Sequence, residues 1–221
     1  MCDVMYEPSA IWSASPVIFD RDISNTQNVI LSQGSSALRT TVQKIDDLHS
    51  LVPPDAENAV FFDVRIPPIL QDLCYHAGLA STILFNNNKK QGFKETGNAY
   101  ILRLERVEYV NNFCEEQSIT TTTLTNRDIR NSLTHIDEKL GYFLTLEENV
   151  GWFVDFAATH RNKFLVPEGL TAKYCRSYVS SEDRILHLDQ ELHLGQLRKE
   201  CVTVLAVVFG VDLVGPTLQT I

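Results

Sequence analysis

Arg130, Asn131, Thr134, His135 and Glu138 lie within one short stretch of the chain and could act together. Histidine titrates near neutral pH and can give or take a proton there. Arginine keeps its charge and presents a planar fork of donors suited to an anionic oxygen. On a helical wheel, Ile129, Leu133, Ile136, Leu140 and Phe143 fall in one narrow apolar stripe. Asn131, Thr134, His135 and Glu138 fall on the opposite side. Arg130 lies on the flank, where its long stem lets the charged end bend over that polar side. Asn131 is one helical turn before His135, within reach of its imidazole. This group is therefore expected to face away from its own core. The chemistry it suits is proton transfer beside a developing negative charge. A plainer reading pairs Arg130 with Asp137 or Glu138 and leaves His135 as a solvated surface residue.

Other reactive side chains make weaker groups. Thr159-His160-Arg161-Asn162 repeats Arg-Asn, but Val166 stands where a histidine would be needed, so it reads as a solvated helix end. His187, Asp189, Glu191 and His193 read as a strand-to-helix junction, with Asp189 as a cap rather than a metal ligand. Cys74 and His76 lack a third partner for a nucleophile and base. The chain contains neither a Gly-x-Ser-x-Gly elbow nor a glycine-rich phosphate loop. Its five cysteines are widely spaced with no Cys-x-x-Cys pair, and are expected to be reduced and structural. The aromatics Trp12, Trp152 and Phe153 read as core or interface anchors rather than base-stacking platforms.

The elements that must position the polar group are mostly helical. Apolar spacing predicts a helix over 26–51, its start delayed by Gly34, closed by Pro53-Pro54. A short strand is expected at 59–62, and a low-contrast extended piece at 16–19. A second helix opens at Pro67-Pro68 and runs to 85, before a polar turn at 86–92. A third spans 99–116 and is broken by the threonine run 120–123. The fourth, carrying the polar group, starts with Thr125 or Asn126 as cap, has Asp128 in its first turn, and ends near 144. A poorer fifth helix is expected over 147–160, a small hairpin over 173–188, and a final helix over 192–209. The expected fold class is mainly α, a helical bundle with a small β-hairpin appendage. Residues 1–62 are read as an N-terminal extension whose helix packs on the bundle, and 63–221 as the main helical domain.

The net charge of −9 opposes indiscriminate binding to phosphate polymers, although a locally basic site remains compatible with it. No apolar run approaches a membrane span. The first residues lack the basic-then-apolar order of a secretory signal, so the expected location is cytoplasmic.

An outward-facing site needs a wall to exclude water. A second copy of the same helix about a two-fold axis would supply one, as identical patches meet in such an interface. Arg130-Asn131-x-x-x-His135 resembles the signature of the HEPN ribonuclease-like superfamily, and the run Leu133–Leu140 with Asp137-Glu138 is similar to the one that follows it there. The resemblance covers about 67–160. It implies a helical bundle that dimerises through the helix around 126–144, and a metal-independent endoribonuclease. His135 would take the proton from an RNA 2′-hydroxyl as it attacks the adjacent phosphate, and Arg130 would stabilise charge on the transition state. Asn131 would orient the imidazole or bind a phosphate oxygen, with Thr134 and Glu138 in support. No metal or cofactor is implied, because the ribose supplies the nucleophile. Products would be a 2′,3′-cyclic phosphate and a free 5′-hydroxyl. Implied partners are a second copy, an RNA substrate and, in a toxin–antitoxin setting, an antitoxin protein; membrane binding is not implied. The alternative is a non-catalytic helical module that binds RNA or a protein partner. The acidic charge, the N-terminal part through 62 and the hairpin near 173–188 depart from the simplest form of the family.

Overall fold

The computed structural model describes residues 25–54, 63–126, 128, 136–145, 151–155, 158–159, 168 and 172–211. Their order is α1 (Asn25–Leu51), α2 (Ile66–Phe85), α3 (Gly97–Glu116), a single turn α4 (Thr122–Thr125), α5 (Ile136–Thr145), strands β1 (Trp152–Asp155), β2 (Ala158–Thr159), β3 (Ala172–Cys175), β4 (Ser177–Val179), β5 (Arg184–His187) and β6 (Gln190–His193), then α6 (Leu194–Phe209). The described structure is mostly helical with a small β unit. The strands expected at 16–19 and 59–62, together with Trp12 and His160–Asn162, lie outside the described residues.

The helical frame follows from apolar spacing. Leu38, Val42, Ile45 and Leu48 of α1 are buried against Leu70, Leu73, Ala80 and Leu84 of α2, and α6 adds Leu197, Cys201, Val204 and Leu205. Gly34 does not delay α1. The helix runs through it, because a Cβ there would stand 2.6 Å from Leu84 Cδ2, so the missing side chain is what lets α1 and α2 approach. Prolines occupy the first turn of α2, where their missing N–H would be unpaired anyway. The break after α3 comes at Gln117–Ser118, with Ser118 at φ 53°, and the threonine run then makes α4 instead of only interrupting a helix.

Among the described residues, the span 147–160 where a fifth helix is expected contains strands instead. Its described residues are β1 and β2, which pair in parallel with β3 and β4. Trp152, Phe153 and Val154 favour a pleated strand, and their partners lie about twenty residues on, beyond the reach of local periodicity. The hairpin expected at 173–188 is real in its β4–β5 part, with Tyr178 opposite Ile185, and β6 extends the sheet with Leu192 opposite Ile185. The sheet order is β2-β4-β5-β6. Tyr178, Ile185 and Leu192 join the main helical core, while Val179 and Leu186 pack with Val154 and Tyr174 in a second, smaller one. The strand alternation thus buries both faces. Cys74, Cys114, Cys175 and Cys201 are free and buried, and Cys2 lies outside the described residues. Among the described residues no helix is long and apolar enough to cross a membrane.

Candidate functional site

The backbone that delivers the polar group is built by two caps. Ile119 N–H donates to Cys114 O at 2.8 Å, turning the chain out of α3. α4 is then held from below by Glu200 of α6, whose carboxylate is 2 % exposed. It accepts from Leu124 N at 2.7 Å, Thr123 N at 3.1 Å, Thr122 Oγ1 at 3.3 Å and Gln196 Nε2 at 2.9 Å. An anion at the first amides of a helix satisfies donors that have no partner within the helix. Next, Asn126 adopts an extended backbone and its Oδ1 accepts from Asp128 N at 2.9 Å, with Asp128 itself helical. This is the contact an N-cap residue makes, while the Thr125 hydroxyl instead donates to Thr121 O at 2.8 Å.

Beyond this point Arg130, Asn131, Thr134 and His135 lie outside the described residues. Glu138 falls in the first turn of the α5 backbone. Further along α5, Phe143 is buried and Leu140 half-buried, while Gly141, Tyr142, Leu144 and Thr145 are exposed. Phe143 and Leu140 thus occupy the inward positions that the apolar stripe assigns them. Tyr142 and Leu144 are 67 % and 52 % exposed, leaving apolar area on the outer side of this short helix.

Two further clusters contain reactive groups, and their geometry gives each a structural role. His49 Nε2 lies 2.7 Å from Asp183 Oδ1, which also accepts from Tyr178 OH at 3.1 Å. Asp183 O accepts Leu194 N at 2.9 Å, and its carboxylate also takes the Gly195 amide. One residue, itself at φ 48°, therefore ties α1, β4 and the start of α6 together. The cap of α6 is thus served by Asp183, not by Asp189, which sits in the β5–β6 turn. Cys175 Sγ stands 3.7 Å from His187 Nδ1, both buried. Burial, reinforced by the Asp155 carboxylate, pushes the Cys175 thiol up to about 11, which removes the thiolate a nucleophile requires. His187 is buried on β5 while Glu191 is exposed on β6, so this group does not converge on one point. Among the described residues no three His, Cys, Asp or Glu side chains are arranged to hold a metal ion.

Sequence reading missed Glu200 and Asp183. A signal for the first was present: Glu200 falls beside Val204 within the Leu197–Cys201–Val204–Leu205 stripe, and a carboxylate on a buried face needs donors from elsewhere. Asp183 gave no comparable signal, because its partners lie on three different elements. No family model, curated protein or solved structure matches the chain.

Proposed function

We propose that this chain is an HEPN-like, metal-independent endoribonuclease that acts as a homodimer. The observation that carries the reading is the Arg130-Asn131-x-x-x-His135 pattern, which follows shortly after Asn126, whose Oδ1 accepts Asp128 N as an N-cap would. In the reaction, His135 takes the 2′-hydroxyl proton and the 2′-oxygen forms a bond to phosphorus. The bond from phosphorus to the 5′-oxygen breaks, and the leaving oxygen gains a proton. Arg130 offsets the charge that builds on the phosphate oxygens. Asn131 holds the imidazole or a phosphate oxygen, and Thr134 and Glu138 support the site. The helical frame supports the fold that the reading requires, and exposed Tyr142 and Leu144 provide apolar area for a second copy.

The test is cleavage of RNA by the purified full chain in EDTA, with products analysed for 2′,3′-cyclic phosphate ends. Arg130→Ala and His135→Ala should each abolish cleavage while the circular dichroism spectrum is retained. Cleavage that persists undiminished in both variants refutes the assignment. A dimer that binds RNA in a salt-dependent way without turnover points instead to a non-catalytic module.

A further inference from the structure

The polar turn after α2 is a braced platform. Arg103 of α3 reaches back to it, donating from Nη1 to Asn86 O and Asn88 O, each at 2.9 Å. It also forms a two-pronged pair with Glu95, Nε to Oε1 at 2.8 Å and Nη2 to Oε2 at 3.0 Å. Glu95 Oε2 accepts Gly92 N at 3.0 Å, and Tyr100 OH donates to Lys89 O at 2.7 Å. The Arg103 hydrogen bonds hold the Glu95 carboxyl at about 2, so the brace stays ionised across the working pH range. Asn86 Oδ1 accepts Asn88 N at 3.3 Å, Asn88 Oδ1 accepts Lys90 N at 3.0 Å and Gln91 Nε2 donates to Glu95 O, so these contacts fix the backbone through the loop's own amides as well.

What the platform presents is one chemistry. Phe93 is fully exposed, and Lys89, Lys90 and Lys94 beside it are exposed as well. Among the described residues none of these lysines has a carboxylate partner. The span 86–94 contains no acidic residue in a chain whose net charge is −9. A cationic cluster surrounding a projecting aromatic ring on a pre-ordered loop matches an unpaired base flanked by phosphates. A duplex keeps its bases stacked inside and offers the ring nothing. A lipid surface would reward a larger apolar area than one ring, and the exposed Asn87 nearby is an amide suited to a base edge.

We infer that the loop 86–94 is a docking site for single-stranded RNA, with Phe93 stacking on a base and Lys89, Lys90 and Lys94 pairing with flanking phosphates. The choice of RNA rests on the proposed ribonuclease reading; the loop itself does not contain the cleavage residues. It precedes α3, whereas α4 and, further along the chain, Arg130 and His135 follow that helix.

The experiment is fluorescence anisotropy of the full chain with a labelled, uncleavable 2′-O-methyl oligonucleotide. Phe93→Ala should weaken binding about ten-fold, and Phe93→Trp should retain it. The triple change Lys89→Ala, Lys90→Ala and Lys94→Ala should lower the salt slope of binding by about 2. All these positions are exposed, so thermal melts should be unchanged. Failure of the intact chain to bind, or equal binding by Phe93→Ala, overturns the inference. So does Phe93-dependent binding to phosphatidylserine vesicles with Phe93-independent binding to the oligonucleotide. Arg130→Ala and His135→Ala separate the two readings. If neither residue is needed for cleavage but the loop variants still lose binding, the ribonuclease site falls and the docking site stands. Normal cleavage chemistry with binding indifferent to the loop does the reverse.

Discussion

Glu200→Ala should destabilise the protein by roughly 3–5 kcal/mol. The magnitude follows from its partners. Thr122 and Gln196 are exposed, so their side chains can turn to water and contribute little to the loss. The amides of Thr123 and Leu124 cannot, because they sit in the first turn of a four-residue helix and Leu124 is 1 % exposed. Leaving a buried donor unpaired costs about 1–3 kcal/mol. Two such donors and the space vacated by the carboxyethyl group account for the total. In a domain of this size each kcal/mol moves the melting temperature by about 2–4 °C, so a fall near 10 °C is expected. Glu200→Gln keeps one acceptor oxygen but turns an NH2 group toward a donor, and should fall between wild type and alanine. Thermal melts of the full chain at pH 7 read all three. A shift below about 2 °C for alanine would refute the reasoning, since it would mean α4 pairs its amides without the carboxylate. Glutamine as damaging as alanine would refute the hydrogen-bond basis.

Burial alone would raise the Asp183 carboxyl, but hydrogen bonds from His49, Tyr178 and the Gly195 amide hold it below its ordinary 3.8. A carboxyl lowered in the folded state adds stability above its unfolded value and loses it as pH falls through the folded one. The gap in melting temperature between wild type and Asp183→Asn should therefore narrow from pH 7 to pH 3; a constant gap would remove the linkage. Gly34→Ala places a Cβ 2.6 Å from Leu84 Cδ2 and should cost about 1–3 kcal/mol in urea unfolding, and Leu84→Ala should cost less in that background than in wild type. Burial pushes the thiols of Cys74 to about 12 and Cys114 to about 11, and Cys201 higher still. Iodoacetamide at pH 8 should leave these three unmodified in the native chain and label them in denaturant, as read by peptide mass spectrometry.

What was legible in the sequence had local causes. Helix boundaries set by Pro53 and Pro67 could be read because each signal sits within a turn of its effect. The apolar stripe likewise points Phe143 inward, and Phe143 is buried. Strands β1 and β2 were misread because Ala158 and Tyr178, or Val154 and Tyr174, find one another across about twenty residues. Gly34 was misread for a related reason. Its local meaning is a weakened helix, and its tertiary meaning is the approach of Leu84. The same division runs through the candidate site. The residue types Arg130, Asn131 and His135 announce a chemistry, whereas the carboxylate that orders the chain leading to them lies seventy positions later.

That division has a physical consequence for a site on an outer helix face. Side chains that point to solvent or to a second subunit cannot be held in place by their own packing. Their precision must come from the backbone, and the described chain leading to 130–135 is anchored through Glu200 to the buried face of α6, with Asn126 Oδ1 accepting Asp128 N after it. The loop 86–94 solves the same problem differently, because Arg103 braces its carbonyls from the side and leaves Phe93 and the lysines outward. Among the described residues the hydrogen bonds of the two anchors are separate, those of Glu200 going to α4 and Gln196 and those of Arg103 to the loop and Glu95. Loss of either should therefore disturb only its own end of α3: Glu200→Ala should loosen α4 and leave the 86–94 loop ordered, and Arg103→Ala should do the reverse.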